Sequence, residues 1–203
     1  MTKTDALMAD LAEASRIAKS GEDMPLVGGP IGLMWGILLT IMFAFHYAII
    51  TRTLEVSQQY ILFFWGAFLL IGVMGSIVLG IKLDKKPGAS STANRVESYV
   101  WTMYGGMMGA LGVGVILNQI FGNGSHELWT LMVIFGFAGQ GLAYGVVAKL
   151  TGQTWLHFAS FASFTMAAMT MSFYSSAIIY LLAALGAFVT IVIPSLMSIR
   201  KES

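Results

Sequence analysis

LTGQTWLHFASFASFTMAAMTMSFYSSAIIYLLAALGAFVTIVIPSLMSI, residues 150–199, runs for fifty residues without an Asp, Glu, Lys or Arg. A bilayer core about 30 Å thick is crossed by about 20 apolar residues of helix, so this stretch is too long for one span and sufficient for two. Tyr174-Ser175-Ser176 is its best turn signal and divides it into spans at about 153–173 and 177–197. Working outward, further uncharged runs lie at 128–148, between Glu127 and Lys149; at 98–121, after Arg95 and Glu97; at 60–81, between Glu55 and Lys82; and at 31–50. The composition agrees. Of 203 residues, 57% are hydrophobic and 10% charged, where an ordinary soluble domain carries about 25% charged residues.

The signs of the loop charges give an independent check, because the spans are chosen without regard to them. With six spans, Lys3, Arg16, Lys19, Lys82, Lys85, Lys86, Arg95, Lys149, Arg200 and Lys201 fall on one side and Arg52 alone on the other. The sequence thus predicts an all-α integral membrane protein, a compact bundle of six transmembrane helices with both termini cytoplasmic. The expected location is a bacterial inner membrane. Residues 1–29 read as a cytoplasmic segment, 30–199 as the transmembrane domain and 200–203 as a cytoplasmic tail. Within the first segment Leu7, Leu11, Ala14 and Ala18 recur at helical spacing after the capping types Thr4 and Asp5, which predicts a short amphipathic helix at the membrane surface. Its acidic residues and lack of an apolar core exclude a cleavable signal, and Pro30 suits the first turn of the first span.

Small residues recur every four positions: Gly72, Ser76 and Gly80; Gly105 and Gly109; Gly106, Ala110 and Gly114; Gly141 and Gly145; Ala159, Ser163 and Ala167. Such faces let helix backbones approach closely in lipid. They predict tight packing within the bundle and offer seams for a second copy or a partner membrane protein. The other expected partner is the bilayer itself. The aromatic-glycine pairs Trp35-Gly36, Trp65-Gly66, Tyr104-Gly105 and Phe135-Gly136 hint at a repeated hairpin. The format, six spans in about 200 residues, resembles the substrate-binding membrane subunits of energy-coupling-factor transporters, a likeness of size and topology that carries no residue across.

Function is bounded mainly by what the spans lack. Without cysteine there is no thiolate catalysis and no Cys-based metal or cluster site. The charge balance of +1 and the absence of a basic stripe exclude a nucleic-acid partner. No Asp, Glu, Lys or Arg lies within the core of a span, which argues against carboxylate proton relays, voltage sensors and a retinal lysine. No catalytic motif is present, so an enzyme is the least favoured class and no catalytic residue is assigned.

Two uncharged polar groups stand out. Gln140, set among glycines with Thr40, Ser163 and Thr165 at similar depth, is the candidate solute-binding group near the midplane. A buried amide costs roughly 2–7 kcal/mol when unpaired, so the structural alternative is a hydrogen bond to Thr40 or Ser163. Toward the outer face, His46, Asn118, Gln119 and His126 form a candidate polar cluster. His46 and His157 lie at different depths, which excludes a haem held between them, and no metal site or cofactor is assigned. The fourteen methionines read as flexible packing rather than copper ligands. The leading expectation is a protein that binds or transports a neutral or apolar small solute or lipid. The alternative is a non-catalytic membrane subunit or scaffold acting through partners, and the third is histidine-based metal handling.

Overall fold

The computed structural model describes residues 5, 7, 8, 10–12, 26–122, 124, 125 and 127–202. From residue 26 onward the described residues form seven helices: α1 Gly29–Ile50, α2 Ile61–Leu83, α3 Thr92–Phe121, α4 Glu127–Thr151, α5 Leu156–Ser172, α6 Ile178–Ala187 and α7 Ile193–Glu202. A short 3-10 turn, Gln58–Tyr60, leads into α2, and a π-helical segment, Phe188–Val192, joins α6 to α7. No strand occurs among the described residues. Among the described residues five helical runs are long and apolar enough to cross a membrane: Gly29–Ile50, Gln58–Leu83, Thr92–Phe121, Glu127–Thr151 and Ile178–Lys201. The remaining helix, α5, is shorter at 17 residues. The chain is therefore an all-helical, multi-pass membrane protein by length and composition.

Local chemistry sets the ends of these helices. Pro30 lies in the first turn of α1, where its missing N–H costs nothing. Glu127 and Lys149 occupy the first and last turns of α4, each matched to the helix dipole. Gly152 takes φ +69 just beyond α4, a left-handed stop that a side chain would strain. The chain turns over residues 173–177, as Tyr174-Ser175-Ser176 predicts. The third helix departs from the sequence-based boundary. It begins at Thr92, six residues before Ser98, with the Ser91 hydroxyl accepting the Asn94 N–H at 3.3 Å. Arg95 and Glu97 are consequently helical, and the loop before them is shorter than the charges suggest. Of the amphipathic helix expected at the amino terminus, residues 5, 7, 8 and 10–12 are helical and exposed; Thr4, Ala14 and Ala18 lie outside the described residues.

Helix α1 runs through the middle of the packing, with α2, α6, the π segment and α7 against it, while α4 packs between α3 and α5. Small residues make these approaches possible, and large side chains from neighbouring helices fill the gaps they leave. A Cβ on Gly72 would strike the Trp35 ring, one on Gly141 would lie 2.8 Å from Phe164, and one on Gly186 would lie 2.6 Å from Phe137. Four glycines of α3 behave otherwise: around Gly105, Gly106, Gly109 and Gly114 no atom of the described residues stands within 4 Å of an added Cβ. Two clusters form the core. One gathers Phe43, Phe137, Ile179 and Tyr180; the other gathers Leu26, Ala93, Tyr144, Val147 and Leu156.

The second cluster is closed by a strap, residues 26–28, lying between the start of α3 and the end of α7. Val27 N–H donates to Asn94 Oδ1 at 2.8 Å, Gly28 N–H to Glu97 Oε2 at 3.3 Å, and Ser198 Oγ donates to the Leu26 carbonyl at 3.2 Å. Asn94 Nδ2 in turn donates to the Gly88 carbonyl and Ser91 Oγ, both at 3.0 Å, so one buried amide ties the strap to the α2–α3 loop. Asn94→Ala leaves the buried Val27 N–H without its acceptor, a loss of about 1–3 kcal/mol. The expected result is a lower thermal unfolding midpoint in detergent; an unchanged midpoint would mean that water replaces the amide.

Candidate functional site

Gln140 lies in the middle of α4 and is 3% exposed. Its Nε2 has two protons for three acceptors: it donates to Ser163 Oγ at 3.1 Å and, in a shared bond, to Thr190 Oγ1 at 2.8 Å and the Thr190 carbonyl at 3.1 Å. Both hydroxyls spend their own protons on their own helices: Ser163 Oγ donates to the Ala159 carbonyl and Thr190 Oγ1 to the Gly186 carbonyl, each at 2.8 Å. They therefore face Gln140 as acceptors, which fixes the amide with its NH₂ toward them. One side chain on α4 thus joins α5 and the π segment. Beside it, Ser160 Oγ donates to the Gly141 carbonyl at 2.6 Å, a second link between α4 and α5.

The Thr190 carbonyl is available because of Pro194. In an α-helix that carbonyl would bond to the N–H four residues on, but position 194 is proline, which has no N–H and whose ring crowds the carbonyl four residues back. The helix responds by opening one turn: Ile193 N–H bonds to the Phe188 carbonyl, an i to i+5 spacing. The carbonyl so released turns to Gln140. The sequence contained the signal, a proline inside an otherwise helical run, but Thr190 and Pro194 were not among the candidate residues.

The four midplane candidates therefore separate. Gln140 and Ser163 meet through the hydrogen bond that is the structural alternative to a solute site. Thr40 instead donates to the Gly36 carbonyl of its own helix at 2.8 Å. Thr165 lies on an exposed face of α5 and donates to the Phe161 carbonyl at 3.0 Å.

The outer candidates separate too. His46 is buried, 7% exposed, between α2 and α6. Its Nδ1 accepts the Trp65 indole N–H at 3.1 Å, and its ring stacks on Tyr180 with centroids 3.8 Å apart and 21° between planes. An accepting Nδ1 assigns the proton of the neutral ring to Nε2. Asn118 and Gln119 stand at the end of α3 and close the α3–α4 turn: Asn118 Oδ1 accepts the Ser125 N–H at 3.3 Å, and Gln119 Nε2 donates to the Ser125 carbonyl at 3.1 Å. His126 lies outside the described residues. Among the described residues no three His, Asp or Glu side chains gather as metal ligands. The methionines that touch helix contacts act as fillers: Met107 reaches Gly139, Met108 reaches Gly136 and Met166 reaches Gly186.

Neither a family model, a curated protein nor a solved structure matches the chain.

Proposed function

We propose that the chain is a six-span membrane protein, with both termini cytoplasmic, that binds or transports a small neutral or apolar solute inside its bundle. The observation that carries this reading is the opened helix at Phe188–Val192, seated on Gln140 near the middle of the bundle. Single-turn π segments recur at functional sites, and transporters place solute sites where a spanning helix is interrupted near mid-membrane. The groups at the break are uncharged, which favours a neutral solute. Gln140 Oε1 accepts no hydrogen bond among the described residues, and it is the group left to meet one. Helix α5, at roughly 25 Å for 17 residues, is the sixth span at the short end of the range. The ten-to-one split of basic residues supports the orientation.

Native mass spectrometry of the protein extracted gently from its own membrane tests this. The expected spectrum shows a small molecule or lipid retained in fixed stoichiometry. A co-purifying protein with no small ligand would instead support the second reading, a membrane subunit acting through a partner helix. That reading rests on Gly105, Gly106, Gly109 and Gly114 of α3, around which an added Cβ would meet no atom among the described residues.

A further inference from the structure

Glu97, Trp101 and Tyr104 are spaced four and three residues apart and share one face of α3. The earlier start of α3 is what brings Glu97 onto that face. Opposite them α4 presents Tyr144, and the Trp101 ring meets both tyrosines edge to face, Tyr104 at 5.6 Å and 90°, Tyr144 at 4.9 Å and 81°. The strap closes the cytoplasmic side, so near that a Cβ on Gly28 would fall 2.8 Å from Glu97 Oε2. The carboxylate stands just before the uncharged run 98–121, near the start of α3, and is partly buried on the same helix face as the aromatic rings.

The bonding of this group is incomplete. Glu97 accepts one hydrogen bond, the 3.3 Å contact from Gly28 N–H, and has no cationic partner among the described residues. Tyr104 has spent its hydroxyl proton on the Gly136 carbonyl at 3.0 Å. Tyr144, 6% exposed, has no hydrogen-bond partner for its hydroxyl among the described residues. An ionised carboxylate withdrawn from water is costly unless an opposite charge accompanies it.

We propose that Glu97, Trp101 and Tyr144 form a binding site for an organic ammonium ion at the cytoplasmic end of α3 and α4. The carboxylate supplies the countercharge, the ring faces supply cation–π attraction, and the Tyr144 oxygen supplies a further lone pair. A quaternary ammonium suits the site better than a metal ion, because one carboxylate and aromatic rings offer too few oxygen ligands for a hard cation. The site is separate from Gln140 and stands whether or not a solute binds there. The ammonium group has two sources, a free amine in solution or the headgroup of a choline lipid.

The test uses the full chain in nanodiscs of phosphatidylglycerol, titrated calorimetrically with choline and with its uncharged carbon isostere 3,3-dimethyl-1-butanol. Saturable binding of choline at one per chain is expected, with the isostere at least about tenfold weaker. Glu97→Gln should lower choline affinity about tenfold or more, and Trp101→Leu several-fold. Tyr144→Phe, which keeps the ring and removes only the hydroxyl, should lower it by a smaller factor. Choline binding that disappears in phosphatidylcholine nanodiscs assigns the site to the lipid headgroup; binding equal in both assigns it to a free amine. Equal affinity for choline and the isostere, or no saturable binding in phosphatidylglycerol, overturns the proposal. So does wild-type affinity in Glu97→Gln. Should Glu97→Gln not yield monodisperse protein, wild-type affinity in both Trp101→Leu and Tyr144→Phe overturns it equally.

Discussion

Gln140→Leu lowers the thermal unfolding midpoint of the detergent-solubilised protein, and Pro194→Ala removes much of that sensitivity. The leucine takes away the donor that serves Thr190 and Ser163. With proline at position 194 the Thr190 carbonyl has no backbone donor to fall back on, so the cost approaches the about 1–3 kcal/mol of a buried group left unpaired. It exceeds the average of about 0.6 kcal/mol for polar contacts between membrane helices, because here the acceptor has no second choice. Alanine at 194 supplies an N–H four residues after Thr190 and lets the π segment close to an ordinary α-turn. Leucine at 140 then removes only the two hydroxyl contacts. A double-mutant cycle should give a coupling of about 1 kcal/mol between positions 140 and 194. Costs that add within about 0.5 kcal/mol would show that Pro194 is not the reason Gln140 is needed.

The second large effect is expected at Gly36, where α1 crosses the same π segment. A Cβ there would stand 2.9 Å from Val192 Cγ2 and 3.0 Å from the Val192 backbone nitrogen. A side chain can rotate away from an intruder, but the main chain of a packed helix cannot without moving the helix. Gly36→Leu therefore forces α1 from the break and costs at or above about 3 kcal/mol, the upper end of the overpacking range, with loss of monodisperse protein as the readout. Gly105→Leu, on the open face of α3, serves as the control and should leave the isolated protein's midpoint within about 0.5 kcal/mol of wild type. If the control is as damaging as Gly36→Leu, the α3 face is covered by another copy or partner.

The positions of these helices were largely legible from the sequence because charge is expelled from hydrocarbon. The uncharged runs at 31–50, 60–81 and 128–148 differ from the corresponding helices by only a few residues at either end. The same rule misplaced the start of α3: charge marks where a chain leaves the membrane, whereas a helix ends where its capping ends, here at Ser91. Gln140 and Ser163 were recoverable because a buried amide must find a partner. Thr190 has no such signal of its own, since its importance comes from the proline four residues later. The grouping of His46 with Asn118 and Gln119 used depth alone. Depth follows from counting along a helix. Direction around it does not when the helix is apolar on every side, so the Trp65 and Tyr180 rings that receive His46 had no signature.

The strap also sets an order of events during synthesis. Its contacts to Asn94 and Glu97 span 67 and 69 residues of chain, whereas the bond from Ser198 to Leu26 spans 172. At about 5–20 residues per second, roughly ten to thirty seconds separate translation of Leu26 from that of Ser198. The strap's hydrogen bonds to α3 can form once Asn94 and Glu97 have been made, Leu26 gains its packing against Tyr144, Val147 and Leu156 as α4 and α5 follow, and the joint with α7 comes last. A ribosome stalled before Ser198 would carry a chain whose first joint is made and whose last is still missing, a state in which protease access to residues 26–28 reports how far assembly has gone.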